Sequence, residues 1–358
     1  MSLRTDAKRG QGSNYEYVVA RVRSRRASLF DDDDYRKLVR MGTGEIARFM
    51  EETEYETEMN ALGARYSGID LVEYALNRNL AKHFDDLLNW SEGQLYDYIA
   101  RYLRKFDAWN IKTLIRGIYS GASRTEVEDD LIDAGEFDEK LLDQLQAAES
   151  IEEVVETLEP TIVGDALGEA FGEFEDTGVL VPLENAVDRA FYEMLLSGLP
   201  TGPEVDSPTG LYIEFLLAEV DFRNLRNALR LARSGADMDP AEYFIEGGRL
   251  FKERQLAQLA TDTDQLVNAV RESPYGDDLE AALETLEDAE NLIDFERALD
   301  VALLEYAEQL SNRYPLSVCP VLSYILSKER EVDNIRAISR GREAGLEADE
   351  IEQELVIL

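Results

Sequence analysis

The chain is poor in several residue types, and each shortage excludes a class of protein. Of its 358 residues, one is cysteine (Cys319) and one is histidine (His83). A disulfide within the chain is therefore impossible, and so is a zinc site built from cysteine and histidine ligands, which needs about four of them. Only 9 residues are proline, which is typical of a helical chain rather than of one with many short strands.

Long apolar runs and catalytic signatures are also missing. The most apolar stretch, residues 318–326, contains Pro320 and is far shorter than the roughly 20 residues that a membrane-spanning helix needs. Residues 1–13 are polar, so we expect a flexible segment rather than a signal peptide. No Gly-x-x-x-x-Gly-Lys phosphate loop and no Gly-x-Ser-x-Gly elbow occurs. His83, which a Ser-His-Asp triad would require, is predicted to lie on a helix surface.

The charge is strongly unbalanced. There are 75 acidic residues against 37 basic ones, which gives a net charge of −38, and only 8 of the basic residues are lysine. Such a chain repels phosphates, so we predict that it binds no nucleic acid. The acids are spread along the chain among apolar residues, which argues against a disordered acidic tail. Acidity with little lysine indicates adaptation to high salt, where screening weakens self-repulsion.

One short pattern occurs three times. It has an acid, an Asn three residues later, an Arg six residues after the Asn, and a Gly eleven residues after the Asn. The acid, Asn and Arg of the three copies are Asp107, Asn110 and Arg116; Asp221, Asn224 and Arg230; and Glu331, Asn334 and Arg340. The glycines are Gly121, Gly235 and Gly345. A base also stands two residues after each Asn, and the Asn positions are 114 and 110 residues apart.

A second pattern precedes each copy of the first. It is Glu-x-Ala followed by an apolar residue and Asn or Asp, and its glutamates are Glu73, Glu184 and Glu296. These glutamates stand 37, 40 and 38 residues before the repeated Asn. A period of about 110 residues is too long for a solenoid repeat and suits a domain with its own core. We therefore predict helical repeat domains at residues 14–122, 123–237 and 238–358.

The repeated segments are predicted to be helices. In the first copy, apolar residues fall at helical spacing on one face, namely at Trp109, Ile111, Leu114, Ile115 and Ile118. The glycines fit helix C-terminal stops, and Ser123 with Glu126 forms the sequence of a capping box for the next helix. Three such units predict an all-α fold with pseudo-threefold symmetry. We interpret the Asn and Arg as a packing device that ties neighbouring helices together, with direct contact to a partner as the alternative.

The sequence resembles a known family. Residues 15–23 (Tyr-Glu-Tyr-Val-Val-Ala-Arg-Val-Arg), followed by Leu29, resemble the start of the C subunit of archaeal A-type, also called V-type, ATP synthases. Residues 53–55, residues 182–184 and the three Asn/Arg segments are similar to the same family. The resemblance covers residues 14–358, although its motifs are diffuse and none is catalytic.

The resemblance implies a fold and a role. It implies three similar helical domains arranged as a funnel, as in the related d subunit of eukaryotic vacuolar ATPases. It also implies a non-catalytic coupling subunit, without cofactor or metal, on the cytoplasmic side of the cell membrane. This subunit links the D and F subunits of the central stalk to the proteolipid (c/K) ring, contacts the A3B3 head only indirectly, and transmits torque for proton-driven ATP synthesis. The membrane is reached through partners only.

Two alternatives remain open from the sequence alone. A helical repeat scaffold unrelated to ATPases would form a complex without ring or stalk subunits. An acidic helical enzyme using paired carboxylates, with or without Mg²⁺, would concentrate Asp and Glu in one unit and not in the other two. We find no such unit-specific cluster in the sequence.

Overall fold

The helices account for all the regular secondary structure in the described part of the chain. The computed structural model describes residues 12–200, 202–204, 206–234, 243–259, 263–273, 275–277, 280, 283 and 292–356. No strand occurs among these residues, and the all-α prediction is confirmed. Most of the predicted flexible segment 1–13 lies outside the described residues.

The described helices range in length from 7 to 27 residues. The first nine are α1 (Tyr15–Arg26), α2 (Asp32–Leu38), α3 (Thr43–Met50), α4 (Glu56–Leu62), α5 (Gly68–Trp90), α6 (Gly93–Leu103), α7 (Lys105–Ser120), α8 (Arg124–Asp130) and α9 (Glu139–Ala147). The others are α10 (Ile151–Leu158), α11 (Gly164–Thr177), α12 (Val181–Leu196), α13 (Pro208–Ser234), α14 (Glu253–Leu259), α15 (Thr263–Arg271), α16 (Leu292–Arg313), α17 (Cys319–Glu343) and α18 (Ala348–Glu354). The three copies of the repeated motif lie on α7, α13 and α17.

Local sequence explains where the motif helices stop. Gly121 ends α7 with a φ of 72°, a left-handed conformation that favours glycine, and the N–H of Ala122 donates to the carbonyl of Gly117. Gly345 follows α17 with a φ of 79°. These two predicted stops are confirmed, whereas Gly235 lies outside the described residues. The predicted capping box of Ser123 and Glu126 is present at the start of α8.

The buried apolar side chains of the described residues form two clusters. The larger cluster runs from Val18 to Val220 and also takes in Ile245 and the C-terminal residues from Ala307 to Leu355. The smaller cluster lies between Ala218 and Ala302, on the second half of α13, on α14 and α15, and at the start of α16. Both ends of the described chain therefore share one core.

Helix α17 brings the two ends of the chain together. It packs against α1 and α5 near the N-terminus and against α16 just before it. Arg26 of α1 donates to the hydroxyl of Ser323 at 2.9 Å and pairs with Glu308 of α16 at 3.0 Å. Within the described residues, no helix is long and apolar enough to span a bilayer.

Candidate functional site: the repeated motif and the cavity it lines

Each Asn of the motif clamps the backbone of the segment that follows its helix. Its side-chain N–H₂ donates to a backbone carbonyl, and its side-chain oxygen accepts from the N–H of the same residue. The clamped residues are Ile132 for Asn110 (2.8 and 2.9 Å), Ile245 for Asn224 (2.8 and 2.9 Å) and Val356 for Asn334 (2.9 and 3.0 Å). The three Asn side chains are at most 3% exposed. Buried amides paired in this way fix two elements against each other.

The acid of the motif caps backbone N–H groups in the first two copies. Asp107 accepts from the N–H of Glu136 at 2.9 Å and from that of Phe137 at 3.2 Å. Burial raises the pKa of Asp107 to about 7, although these two hydrogen bonds act in the opposite direction. Asp221 accepts from the N–H of Leu250 at 2.9 Å, and burial raises its pKa as well.

The acid of the third copy reaches a distant part of the chain. Glu331 accepts from the N–H of Phe30 at 2.6 Å and from the hydroxyl of Tyr55 at 2.6 Å. The ammonium of Lys328 donates to the same carboxylate at 2.7 Å, and both of these charged residues are at most 1% exposed. The acid of the third copy thus contacts the N-terminal part of the chain rather than the segment after its helix.

The Arg of the motif pairs with the glutamate of the second repeated pattern. Each pair is bidentate, and it always joins one repeat to the next. The pairs are Arg116 with Glu184 (2.5 and 2.8 Å), Arg230 with Glu296 (2.5 and 2.5 Å), and Arg340 with Glu73 (2.8 Å for the Nη2 contact). The first repeat contacts the second, the second contacts the third, and the third contacts the first. The two patterns found in the sequence therefore form one cyclic series of three contacts.

A second series of contacts runs beside the first. The base two residues after each Asn meets the residue four positions after each of those glutamates. Lys112 pairs with Asp188 at 2.5 Å, Arg226 pairs with Asp300, and Arg336 donates to the amide oxygen of Asn77 at 2.8 Å. The contact that closes the series therefore uses an amide where the other two use a carboxylate.

The motif helices line a partly open cavity of about 690 Å³. Helices α7, α12, α13, α16, α17 and α18 all contribute to its wall. Nine of its described side chains are basic, namely Lys105, Lys112, Arg116, Arg189, Arg223, Arg226, Arg230, Arg330 and Arg336. Six are acidic, namely Glu184, Asp188, Asp300, Glu329, Asp333 and Glu354. We call this cavity the central cavity. Its wall therefore carries more basic than acidic side chains, although the chain has a net charge of −38.

Three of the nine predicted motif residues line the central cavity, namely Arg116, Arg230 and Asn334. Asn110 and Asn224 contribute through the residues that they clamp, since Ile132 and Ile245 are both part of the wall. The motif acids Asp107, Asp221 and Glu331 instead point to the segments that they cap. Trp109, predicted on the buried apolar face of α7, is 41% exposed and lies in the cavity wall.

Sequence reasoning missed most of the charged wall. Lys105, Arg223 and Arg330 occupy no fixed position relative to the repeated Asn, so periodicity does not find them. Arg189 follows the second pattern, but only one other copy has a counterpart, Arg78. A signal was nevertheless present in the composition of the three motif helices. Helices α7, α13 and α17 hold 12 basic and 8 acidic residues, whereas basic residues are the minority in the whole chain.

The prediction for His83 is wrong. This residue is 4% exposed on α5, and its Nδ1 lies 2.5 Å from the hydroxyl of Tyr324 on α17. Burial lowers the pKa of His83 to about 2. The polar neighbours in sequence suggested a surface position, but α5 is covered on several sides, including by α17. Within the described residues, no group of three or more His, Cys, Asp or Glu could hold a metal ion.

Known proteins are similar to this sequence over nearly its full length. Residues 18–354 match the family model described as ATP synthase (C/AC39) subunit. The chain belongs to this family. It is 67% identical to the A-type ATP synthase C subunit of Haloferax volcanii over 97% of this chain and 99% of that protein. The identity is 60% with the Halobacterium salinarum protein of the same name, over 97% and 98%, and 36% with that of Methanosarcina acetivorans, over 100% and 97%.

Membership in the family confirms the resemblance predicted from the sequence. The relatives from Haloferax and Halobacterium also agree with the high-salt adaptation inferred from the charge. The chain is thus a subunit of a halophilic archaeal A-type ATP synthase complex.

Proposed function

We propose that this chain is a non-catalytic coupling subunit of the rotor of an A-type ATP synthase. It links the D and F subunits of the central stalk to the membrane proteolipid (c/K) ring and transmits torque between them during proton-driven ATP synthesis. It reaches the A3B3 head only through the stalk. It is a peripheral membrane protein on the cytoplasmic side, held at the cell membrane by its partners.

One observation carries this proposal, namely the cyclic series of contacts around the central cavity. Three Arg–Glu pairs join the repeats in the order first to second, second to third, and third to first. A cyclic series of equivalent contacts supports a pseudo-threefold arrangement of the domains 14–122, 123–237 and 238–358. In this arrangement the central cavity is the hollow of a funnel and the place where the stalk enters.

The contacts also suit a part that carries torque. The buried Asn clamps fix each motif helix to the next segment of backbone, and the Arg–Glu pairs fix each repeat to its neighbour. A torque applied at the cavity wall therefore reaches all three repeats through short hydrogen bonds. Because packed helices have few soft degrees of freedom, such a body deforms little under load.

The proposal is tested by isolating the complex from membranes. We expect an affinity-tagged chain, purified from detergent-solubilised membranes of a haloarchaeal host, to bring down the D and F subunits and the proteolipid, identified by mass spectrometry. The same extract from cells with an untagged chain controls for carry-over. Recovery of the chain in a soluble complex without stalk or ring subunits would refute the coupling role and favour an unrelated helical scaffold.

A further inference from the structure

The central cavity differs in charge from the rest of the molecule. Among the described residues, its wall has nine basic and six acidic side chains, whereas the whole chain has 37 and 75. A local reversal of sign in so acidic a protein marks the place where an acidic partner is attracted rather than repelled.

Part of the positive charge in the wall has no carboxylate partner among the residues that the structure describes. No hydrogen bond or ion pair with a described residue engages Arg189, a half-buried side chain of α12. Arg330 of α17 donates to the backbone carbonyl of Val356, but its Nε and Nη1 have no acceptor among the described residues. Guanidinium groups form their strongest contacts with carboxylates, in bidentate geometry.

The acids of the wall compensate this charge only in part. Burial raises the pKa of Glu329 to about 7, even though Lys105 lies 2.6 Å from its carboxylate. Near neutral pH, therefore, a fraction of the acidic charge is absent and the basic excess of the wall is larger than the residue count indicates.

The wall also has an exposed aromatic anchor. Trp109 is 41% exposed and lies on α7 between the cavity-lining residues Lys105 and Lys112. Tryptophan and arginine are among the residue types that most often dominate protein–protein binding. A helix with its side chains is about 10–12 Å across, so a cavity of about 690 Å³ has room for the end of one segment and not for a whole domain.

We propose that the central cavity binds a carboxylate-bearing end of a partner chain. In this complex Arg189 pairs with a carboxylate of that end, and Trp109 packs against the apolar side of the same end. This inference rests on the proposed function, in which the partner is the stalk heterodimer of the D and F subunits. It adds the chemistry of recognition: the entering end is acidic. Nucleic acid does not fit, because a chain of net charge −38 repels an extended polyanion.

Charge reversal tests the proposal. Purified full-length chain is titrated with purified D/F heterodimer at high KCl concentration, and the Kd is measured for the wild type, for Arg189→Glu and for Arg48→Glu. Arg48 is the matched control, because it is an exposed arginine of α3 outside the cavity. We expect Arg189→Glu to weaken binding by at least about tenfold, since a like-charge contact replaces an ion pair. Arg48→Glu should change the Kd less than about twofold, since an exposed charge away from the interface contributes little.

A second measurement identifies the chemical group of the partner. The Arg189→Lys variant keeps the positive charge and introduces a primary amine, which a water-soluble carbodiimide joins only to a carboxylate. We expect an amide between position 189 and an Asp, Glu or C-terminal carboxylate of D or F, located by mass spectrometry, and none with Arg48→Lys. Circular dichroism of each variant checks that it is folded.

The outcomes separate the two proposals. If D/F binds the wild type and Arg189→Glu equally well, the acidic-end proposal is overturned and stalk coupling still stands. If Arg189→Glu weakens binding but Arg189→Lys forms no amide with D or F, the carboxylate contact is overturned. If D/F does not bind the wild-type chain at all, both proposals are overturned.

Discussion

The three copies of the motif share a sequence pattern but not the same closure. In α7 and α13, the motif acid caps backbone N–H groups about 30 residues further along the chain, as Asp107 does for Glu136. In α17 the equivalent acid, Glu331, caps Phe30, which lies 301 residues earlier. The acids of two copies therefore contact the segment that follows, and the acid of the third contacts the N-terminal part of the chain. The cyclic series of contacts is completed by a non-covalent junction between the two ends of the chain.

That junction also holds a fully buried ion pair. Lys328 and Glu331 are 0% and 1% exposed, and the hydroxyl of Tyr55 lies between them, 2.9 Å from the ammonium and 2.6 Å from the carboxylate. Asp107, in contrast, is buried with backbone N–H partners. The comparison predicts that the junction is the most sensitive part of the series to loss of one side chain.

The largest effect is expected at Glu331. Glu331→Ala leaves Lys328 buried, with the hydroxyl of Tyr55 at 2.9 Å and Glu54 as the nearest carboxylate at 3.7 Å, so we expect a loss of about 3–5 kcal/mol in the free energy of unfolding. Asp107→Ala removes two hydrogen bonds without stranding a charge and should cost about 1–3 kcal/mol. Denaturant unfolding at constant high salt measures both.

A double variant separates stranded charge from lost packing. Replacing both partners, as Lys328→Met with Glu331→Met, should recover part of the loss, because neither charge of the pair is then left buried without the other. The recovery is partial, since the N–H of Phe30 and the hydroxyl of Tyr55 still lose their acceptor. Equal losses for Glu331→Ala and Asp107→Ala would contradict the proposed difference between the junction and the local closures.

An intermediate effect is expected at His83, which joins α5 to α17 at the same junction. Burial lowers the pKa of His83 in the folded state to about 2, below the ordinary histidine value of 6.5. The unfolded chain therefore binds a proton that the folded chain does not, and stability is lost as the pH falls below about 6.5. The slope is about 1.4 kcal/mol per pH unit for one group, or about 2 kcal/mol by pH 5.

The variant His83→Gln isolates this contribution. It should flatten the acid side of the stability curve between about pH 6.5 and pH 5, as measured by denaturant unfolding at each pH. Asp107 titrates in the opposite sense, because burial raises its pKa to about 7 and its contribution weakens as the pH rises from about 4 to about 7. An unchanged acid slope in His83→Gln would show that the junction does not hold a neutral imidazole.

The sequence was sufficient for the helices and the repeats but not for the contacts between them. Helical periodicity, the glycine stops and the constant spacing between the two patterns are local or statistical properties, and they identified the all-α fold. That Arg340 pairs with Glu73 depends on two residues 267 positions apart, and no single spacing contains this information. The buried position of His83 was missed for the same reason, because its cover comes from the far end of the chain.

The smallest effect is expected at the three Arg–Glu pairs. Their guanidinium-bearing side chains are 51%, 55% and 62% exposed for Arg116, Arg230 and Arg340, and exposed ion pairs contribute about 0–1 kcal/mol each. Replacing each Arg by Ala should therefore lower stability by no more than about 1 kcal/mol, and by a similar amount at the junction as elsewhere.

A double-mutant cycle for each pair gives the sharper comparison. The coupling energies of Arg116 with Glu184 and of Arg340 with Glu73 should agree within about 0.5 kcal/mol if the pairs only fix the orientation of neighbouring repeats. A clearly larger coupling for the Arg340 pair would mean that the surface contact, and not the buried Lys328–Glu331 group, closes the series. The two ends of the chain would then be joined mainly by a salt-sensitive contact, and lowering the salt concentration should strengthen that pair more than the buried one, because screening acts mainly on exposed charges.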